Sequence, residues 1–143
     1  MTQGSPTTST PAHLTADRPN PRPGPLWTFR VAATLELGAL LAQAVTAGGI
    51  LGGVRQEAVL HGPGSTFVHV FGLATVVAGV LIRRPGRGPL WPTLAALAVL
   101  LVGFVQSMLG GSGDLALHVP MGVALTALAT WLTAWSWTRR PTA

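Results

Sequence analysis

The segment from Leu90 to Leu109 reads LWPTLAALAVLLVGFVQSML and carries no charged side chain. A helix of about 20 residues rises about 30 Å, which matches the hydrocarbon thickness of a bilayer. Three more apolar runs, near or above the minimum spanning length, occupy 26–53, 66–82 and 115–137. We therefore predict an all-α integral membrane protein in which a bundle of four transmembrane helices covers 26–138.

The composition of the chain supports a membrane protein and excludes several classes of site. Of its 143 residues, 48% are hydrophobic and 9% are charged, whereas about 25% of residues are charged in an average soluble domain. The chain has no cysteine, so disulfides, thiolate metal sites and thiol nucleophiles are excluded. All basic residues are Arg, and they cluster at the ends of apolar runs. We therefore expect the lipid bilayer, and not nucleic acid, as the partner of this basic chain.

Residues 1–25 differ from the rest of the chain because they hold six of its twelve prolines, together with many Ser and Thr residues. Such a segment buries too little apolar surface to fold, so we expect a disordered cytoplasmic tail. It lacks the apolar core of a signal peptide, and we expect it to stay in the mature protein.

The distribution of arginines predicts the orientation. Eight of the nine lie on one side of the predicted bundle: Arg18, Arg22, Arg30, Arg83, Arg84, Arg87, Arg139 and Arg140. Only Arg55 lies on the other side. Cytoplasmic flanks of membrane helices are enriched in Arg, and Trp is enriched at the membrane surface. Trp27, Trp91, Trp135 and Trp137 fall at the arginine-rich ends. We expect a plasma-membrane protein with both termini in the cytoplasm.

Short Gly- and Pro-rich segments at 52–53, 62–64, 85–89 and 110–113 separate the runs and predict antiparallel neighbours. A weak internal repeat accompanies them. Gln43 precedes a glycine pair and then His69, just as Gln106 precedes a glycine pair and then His118. We predict a bundle built of two repeated helical hairpins, an organisation that often places a ligand at the repeat interface.

The strongest functional candidates are His69 and His118. Each lies about four residues inside the outer end of its predicted helix, and the two helices run in the same direction, so the imidazoles share one depth. Neutral imidazole binds haem iron, and haem can take axial ligands from facing helices. Gly72 and Gly122 follow on the same helical faces and would let a macrocycle approach. We predict a b-type haem held by this pair; the alternative is hydrogen bonding across helices.

Three charged residues are weaker candidates. Glu36 lies near mid-membrane, where it could relay protons or act as a catalytic acid–base group. The alternative is a protonated carboxyl hydrogen-bonded within the bundle. Arg55, Glu57 and His61 fall in the predicted first outer loop and are interpreted mainly as a solvated cluster. Arg55 is the only basic residue there that could meet a haem propionate, Glu57 is a second weak catalytic candidate, and His61 is expected to be dispensable.

The stretch Gln106–Gly111 followed by Leu117-His118 resembles the corresponding helix pair of haem A synthases. That family is built of two four-helix halves, and each half offers histidines from its second and fourth helices. The resemblance implies that His69 and His118 are this pair, that any activity is that of a haem-dependent membrane oxidoreductase, and that a homodimer would rebuild the two-haem enzyme. The loop cysteine pair of many members is absent, and Val70 stands where an Arg commonly follows the second-helix histidine.

The sequence therefore predicts a membrane haem-binding protein that resembles half of a haem A synthase. Its role would be electron transfer, haem handling or assembly with a respiratory-complex partner, and the sequence leaves open whether it is an enzyme. A cofactor-free four-helix scaffold or small transporter subunit is the alternative. A membrane enzyme that uses Glu36 or Glu57 as its acid–base group is a third reading.

Overall fold

The computed structural model describes residues 21–141 of the chain. This part contains four long helices. They are α1 (Pro23–Leu51), α2 (Arg55–Arg83), α3 (Trp91–Ser112) and α4 (Leu115–Thr138). Each is long and apolar enough to cross a membrane. The predicted all-α transmembrane bundle is confirmed, and the chain is a multi-pass membrane protein. The predicted tail lies outside the described residues except for its last five.

The helices pack in the order of the sequence, and α1 closes the ring against α4. Helices α1 and α3 are therefore diagonal partners, and so are α2 and α4. Since consecutive helices are antiparallel, α2 and α4 run in the same direction. We call the end where α1 and α3 begin the arginine end, and the end where α2 and α4 begin the histidine end.

The first helix begins earlier than predicted, at Pro23 rather than at Leu26. Proline is favoured in the first turn of a helix, where its missing N–H costs no hydrogen bond. Ahead of the helix, the Arg22 N–H donates to the Gly86 carbonyl at 3.3 Å, and Pro21 is buried beside Gly88. Pro21 thus packs on the bundle, and the helix already includes residues 23–25.

The second helix also begins earlier, at Arg55 rather than at Thr66, and the predicted outer loop was wrong. The Gly-Pro-Gly segment at 62–64, interpreted as a helix breaker, lies inside α2. Pro63 removes one backbone N–H, and transmembrane helices tolerate such a residue because neighbouring groups satisfy the freed carbonyl. Arg55, Glu57 and His61 therefore belong to the first two turns of a helix.

Buried side chains concentrate towards the arginine end. A cluster of nine residues forms the main core: Leu26, Phe29, Ala32, Ala33, Ala78, Ile82, Ala96, Leu132 and Trp135. A smaller layer of Leu40, Val68 and Ala129 lies further towards the histidine end. Beyond it, no residue at 41–67 or 104–124 is fully buried. The bundle is thus tightly packed in one half and less closely packed in the other.

Arg30 joins the first half of α1 to the end of α4 at the arginine end. Its buried guanidinium donates to the Ser136 carbonyl at 3.0 Å and to the Arg139 carbonyl at 2.7 Å. It also lies 4.9 Å from the centroid of the Trp27 ring and 5.2 Å from that of Trp137. The last carbonyls of a helix lack partners within the helix, so Arg30 caps α4 from α1.

Candidate functional site

Two histidine rings are close neighbours at the histidine end. The ring centroids of His61 and His118 are 6.2 Å apart, with an interplanar angle of 70°. His61 comes from the second turn of α2 and His118 from the first turn of α4. Because α2 and α4 are diagonal partners, the pair spans the bundle from one corner to the other.

The ring of His118 is held by α3. Its Nδ1 lies 2.9 Å from the Gln106 backbone carbonyl, and a carbonyl oxygen can only accept, so Nδ1 carries the proton. The Gln106 side chain donates in return to the His118 carbonyl at 2.7 Å. Gly110 leaves room for the ring, since an added Cβ would lie 2.7 Å from its Cε1 atom. In the neutral ring, Nε2 keeps its lone pair.

The ring of His61 is held in the same way by α1. Its Nδ1 lies 2.8 Å from the Thr46 hydroxyl oxygen. That hydroxyl also lies 3.0 Å from the Gln43 carbonyl and 3.2 Å from the Ala42 carbonyl. When it donates its proton to one of these carbonyls it accepts from His61, whose Nδ1 is then the protonated nitrogen. In that tautomer both histidines present an unprotonated Nε2.

The two hairpins also share a glutamine–glycine contact. The Gln43 amide lies against Gly64 of α2, and the Gln106 amide lies against Gly122 of α4. In each hairpin the first helix therefore supplies a glutamine that packs on a glycine shortly after the histidine of the second helix. This contact relates His61, and not His69, to His118.

A short sequence pattern could have identified His61. Leu60-His61-Gly62-Pro63 and Leu117-His118-Val119-Pro120 share Leu, His and Pro at the same spacing. Sequence analysis missed the match because 62–64 was interpreted as a loop. The repeat was therefore aligned on His69, which lies about two helical turns after His61 along α2.

His69 lies deeper in the bundle and its partners are on α3. Its ring stacks on Phe104 with centroids 4.2 Å apart and planes 9° from parallel. Its Nε2 lies 3.4 Å from the Ser107 hydroxyl. Among the described residues, the histidine that neighbours His118 is His61, and ligation by His69 stays a prediction.

The glycines predicted to admit a macrocycle face protein side chains instead. A Cβ at Gly72 would lie 3.1 Å from Glu36 Oε1, and one at Gly122 would lie 2.8 Å from Gln106 Nε2. Gly72 therefore makes room for Glu36, and Gly122 for Gln106. A role for either glycine beside a haem stays a prediction.

The three charged candidates are spread along the bundle. Glu36 is 1% exposed and lies about halfway along α1. Arg55 is the exposed first residue of α2, and the Glu57 side chain packs on Gly49 of α1. The structure therefore does not bring Glu36 together with Glu57, as a two-carboxyl active site would need.

Within residues 21–141, no group of three or more His, Cys, Asp or Glu side chains converges as a metal site would require. The histidine pair is thus not part of a larger group of such side chains in this part of the chain. In comparisons with known proteins, no family model, no curated protein and no solved structure matches the chain.

Proposed function

We propose that this protein binds one b-type haem at the histidine end, with His61 and His118 as axial ligands. The observation that carries the proposal is the 6.2 Å separation of the two ring centroids. Metal–nitrogen bonds of about 2 Å on each side of an ion bring the centroids of two imidazoles about 6 Å apart. The spacing of the pair thus fits a single iron between the rings.

The hydrogen bonds of both rings support the same assignment. A histidine that binds a metal through one nitrogen usually donates its other N–H to a carbonyl or similar acceptor, which fixes the tautomer and the ring orientation. His118 donates in this way to the Gln106 carbonyl, which leaves its Nε2 available to a metal. The Thr46 hydroxyl, 2.8 Å from His61 Nδ1, would accept from His61 in the tautomer that offers Nε2 to the same metal.

Haem fits a two-histidine site better than a free metal ion does. A bare zinc or copper ion takes three or four protein ligands, and no larger ligand group converges within 21–141. The porphyrin supplies four nitrogens, so two axial histidines complete the coordination. The less close packing at the histidine end is consistent with a bulky ligand, and Arg55 is proposed to pair with a propionate.

A haem held by two histidines supplies reversible one-electron transfer. The protein is therefore proposed to act in electron transfer, haem handling or assembly of a respiratory complex. A synthase-like oxidoreductase activity would need a second four-helix half, which a second copy of this chain could provide. That partnership rests on the resemblance to haem A synthases alone.

The test is the absorbance spectrum of haem-replete protein and of three alanine variants. The parent should give a low-spin spectrum, and both His61→Ala and His118→Ala should lose it. His69→Ala is the matched control, because it removes the same side chain from the same helix two turns deeper, and it should keep the spectrum.

Loss of the spectrum in His69→Ala but not in His61→Ala would restore the pairing of His69 with His118. A parent that takes up no haem under saturating supply would overturn the proposal. The histidines would then be hydrogen-bonding residues of a cofactor-free scaffold or transporter subunit, joining α1 to α2 and α3 to α4.

The orientation is proposed from the arginines. Positive side chains favour the cytoplasm, so the arginine end should face it and the histidine end should face outwards across the plasma membrane. A reporter fused after Ala143 should read cytoplasmic, and one inserted at Gly111 should read external. The reverse pattern would place the histidine pair on the cytoplasmic side.

A further inference from the structure

Glu36 is an ionisable side chain in the middle of a membrane helix with an incomplete set of partners. It is 1% exposed, and its Oε1 makes no hydrogen bond within the described part of the chain. A carboxylate without partners at this depth is strongly disfavoured. Gly72 provides the space for this oxygen, since a Cβ there would lie 3.1 Å away.

The one polar neighbour of this carboxyl is the Thr75 hydroxyl of α2. The Thr75 hydroxyl also lies 2.9 Å from the Phe71 carbonyl and donates its proton there. When it rotates towards Glu36, it donates to the ionised carboxyl. Burial without further partners favours the neutral acid, so the site offers a means of holding either form.

Apolar side chains fill the bundle between Glu36 and the arginine end. Phe29, Ile82 and Leu132 are buried there in the main apolar core. Arg30, nearly two turns away on α1, is bound to carbonyls of α4. Of the buried hydroxyls in this half, Thr93 Oγ1 has no partner in the described structure. Thr93 is therefore the buried hydroxyl of this half that has an unused hydrogen-bonding position.

The opposite direction is less closely packed and leads to polar residues. A single apolar layer around Leu40 and Val68 lies between Glu36 and the less closely packed half. His69 follows Val68 and lies about one turn from Gly72 along α2, with Ser107 at its Nε2. Helix α3 carries no titratable residue and α4 carries only His118. His69 is therefore the titratable group nearest to Glu36 on the helices that face it.

We infer that Glu36 is a proton-exchange site in the middle of the membrane, connected to the histidine end through His69. In the loading step, the His69 imidazolium gives a proton to the Glu36 carboxylate and becomes neutral. Water at the histidine end then returns a proton to the imidazole, and no electron moves. The inference does not depend on haem, because neither residue belongs to the proposed axial pair.

The experiment is infrared spectroscopy of the protein in lipid, in H2O and after transfer to D2O. The parent should show the C=O band of a protonated carboxyl at pH 7, and the band should shift in D2O because the proton exchanges with water. Glu36→Gln should lose the band. Glu57→Gln, which removes the other helical glutamate, should keep it, and Thr75→Val should shift it because the carboxyl loses its neighbouring hydroxyl.

The route is tested by a matched pair of variants on either side of Glu36. His69→Leu should slow the D2O shift by about tenfold or more, whereas Thr93→Val should leave its rate unchanged. Slowing by Thr93→Val alone, or by neither variant, would overturn the route. A parent without the band would show an ionised carboxylate, and a band that never shifts in D2O would show a static carboxyl. Either result would overturn the site.

Discussion

The two halves of this bundle are built from the same four helices but differ in packing. In the arginine half, side chains such as Phe29 and Ile82 are fully buried, and Arg30 joins α1 to the last turn of α4. In the histidine half no side chain at 41–67 or 104–124 is fully buried. The interior there is lined by hydrogen-bonded residues such as Thr46, His61 and Gln106.

The difference indicates that one half stabilises the fold and the other is suited to binding a ligand. Close packing and buried contacts stabilise a fold, whereas ligand-binding regions are drawn from its less stable parts. Since the arginine half contains the main core, the histidine half can hold polar residues that a tightly packed core would exclude. Substitutions should therefore act on stability in the arginine half and on ligand binding in the histidine half.

The largest expected contrast is between two phenylalanines. Phe29 is 0% exposed in the main core, whereas Phe67 is 61% exposed on α2. Phe29→Ala leaves a cavity and should lower the free energy of unfolding by about 2–4 kcal/mol, somewhat less than in water because lipid also accepts the ring. Phe67→Ala should have little effect. Reversible unfolding in mixed micelles measures both.

If Phe67→Ala destabilised the protein as much as Phe29→Ala, the histidine half would also be packed, either by a second copy or by another partner over Phe67. The comparison between the halves would then apply only to the isolated chain. Repeating the measurement at several protein concentrations separates these cases, because stabilisation by a second copy depends on concentration.

The architecture could be predicted from the sequence because it depends on composition over long windows. Apolar runs of the length of Leu90–Leu109 have few other folds available in a bilayer. Helix boundaries depend on single residues and were less predictable. Pro23 was assigned to the disordered tail and Pro63 to a helix breaker, yet the first lies at a permitted helix start and the second inside a transmembrane helix.

The histidine pair could be predicted only in part, for the same reason. His118 was placed at the correct end of α4, and its contact with Gln106 lies within the glutamine–glycine repeat. The assignment of its partner depended on where α2 begins, because an error of eleven residues there moved the equivalent histidine from His61 to His69. The contact between Glu36 and Gly72 joins two helices and has no local signal in the sequence.

The smallest expected contrast is between two helical glycines. At Gly79 in the arginine half, an added Cβ would lie 2.9 Å from Thr93 Cα, whereas at Gly48 in the histidine half nothing lies within 4 Å. Gly79→Ala should cost about 1–3 kcal/mol, because a backbone atom must move. Gly48→Ala should be neutral, or stabilising by up to about 1 kcal/mol through helix propensity. The same unfolding assay compares them. A neutral Gly79→Ala would mean that α2 and α3 can separate, and that the arginine half is no more rigid than its counterpart.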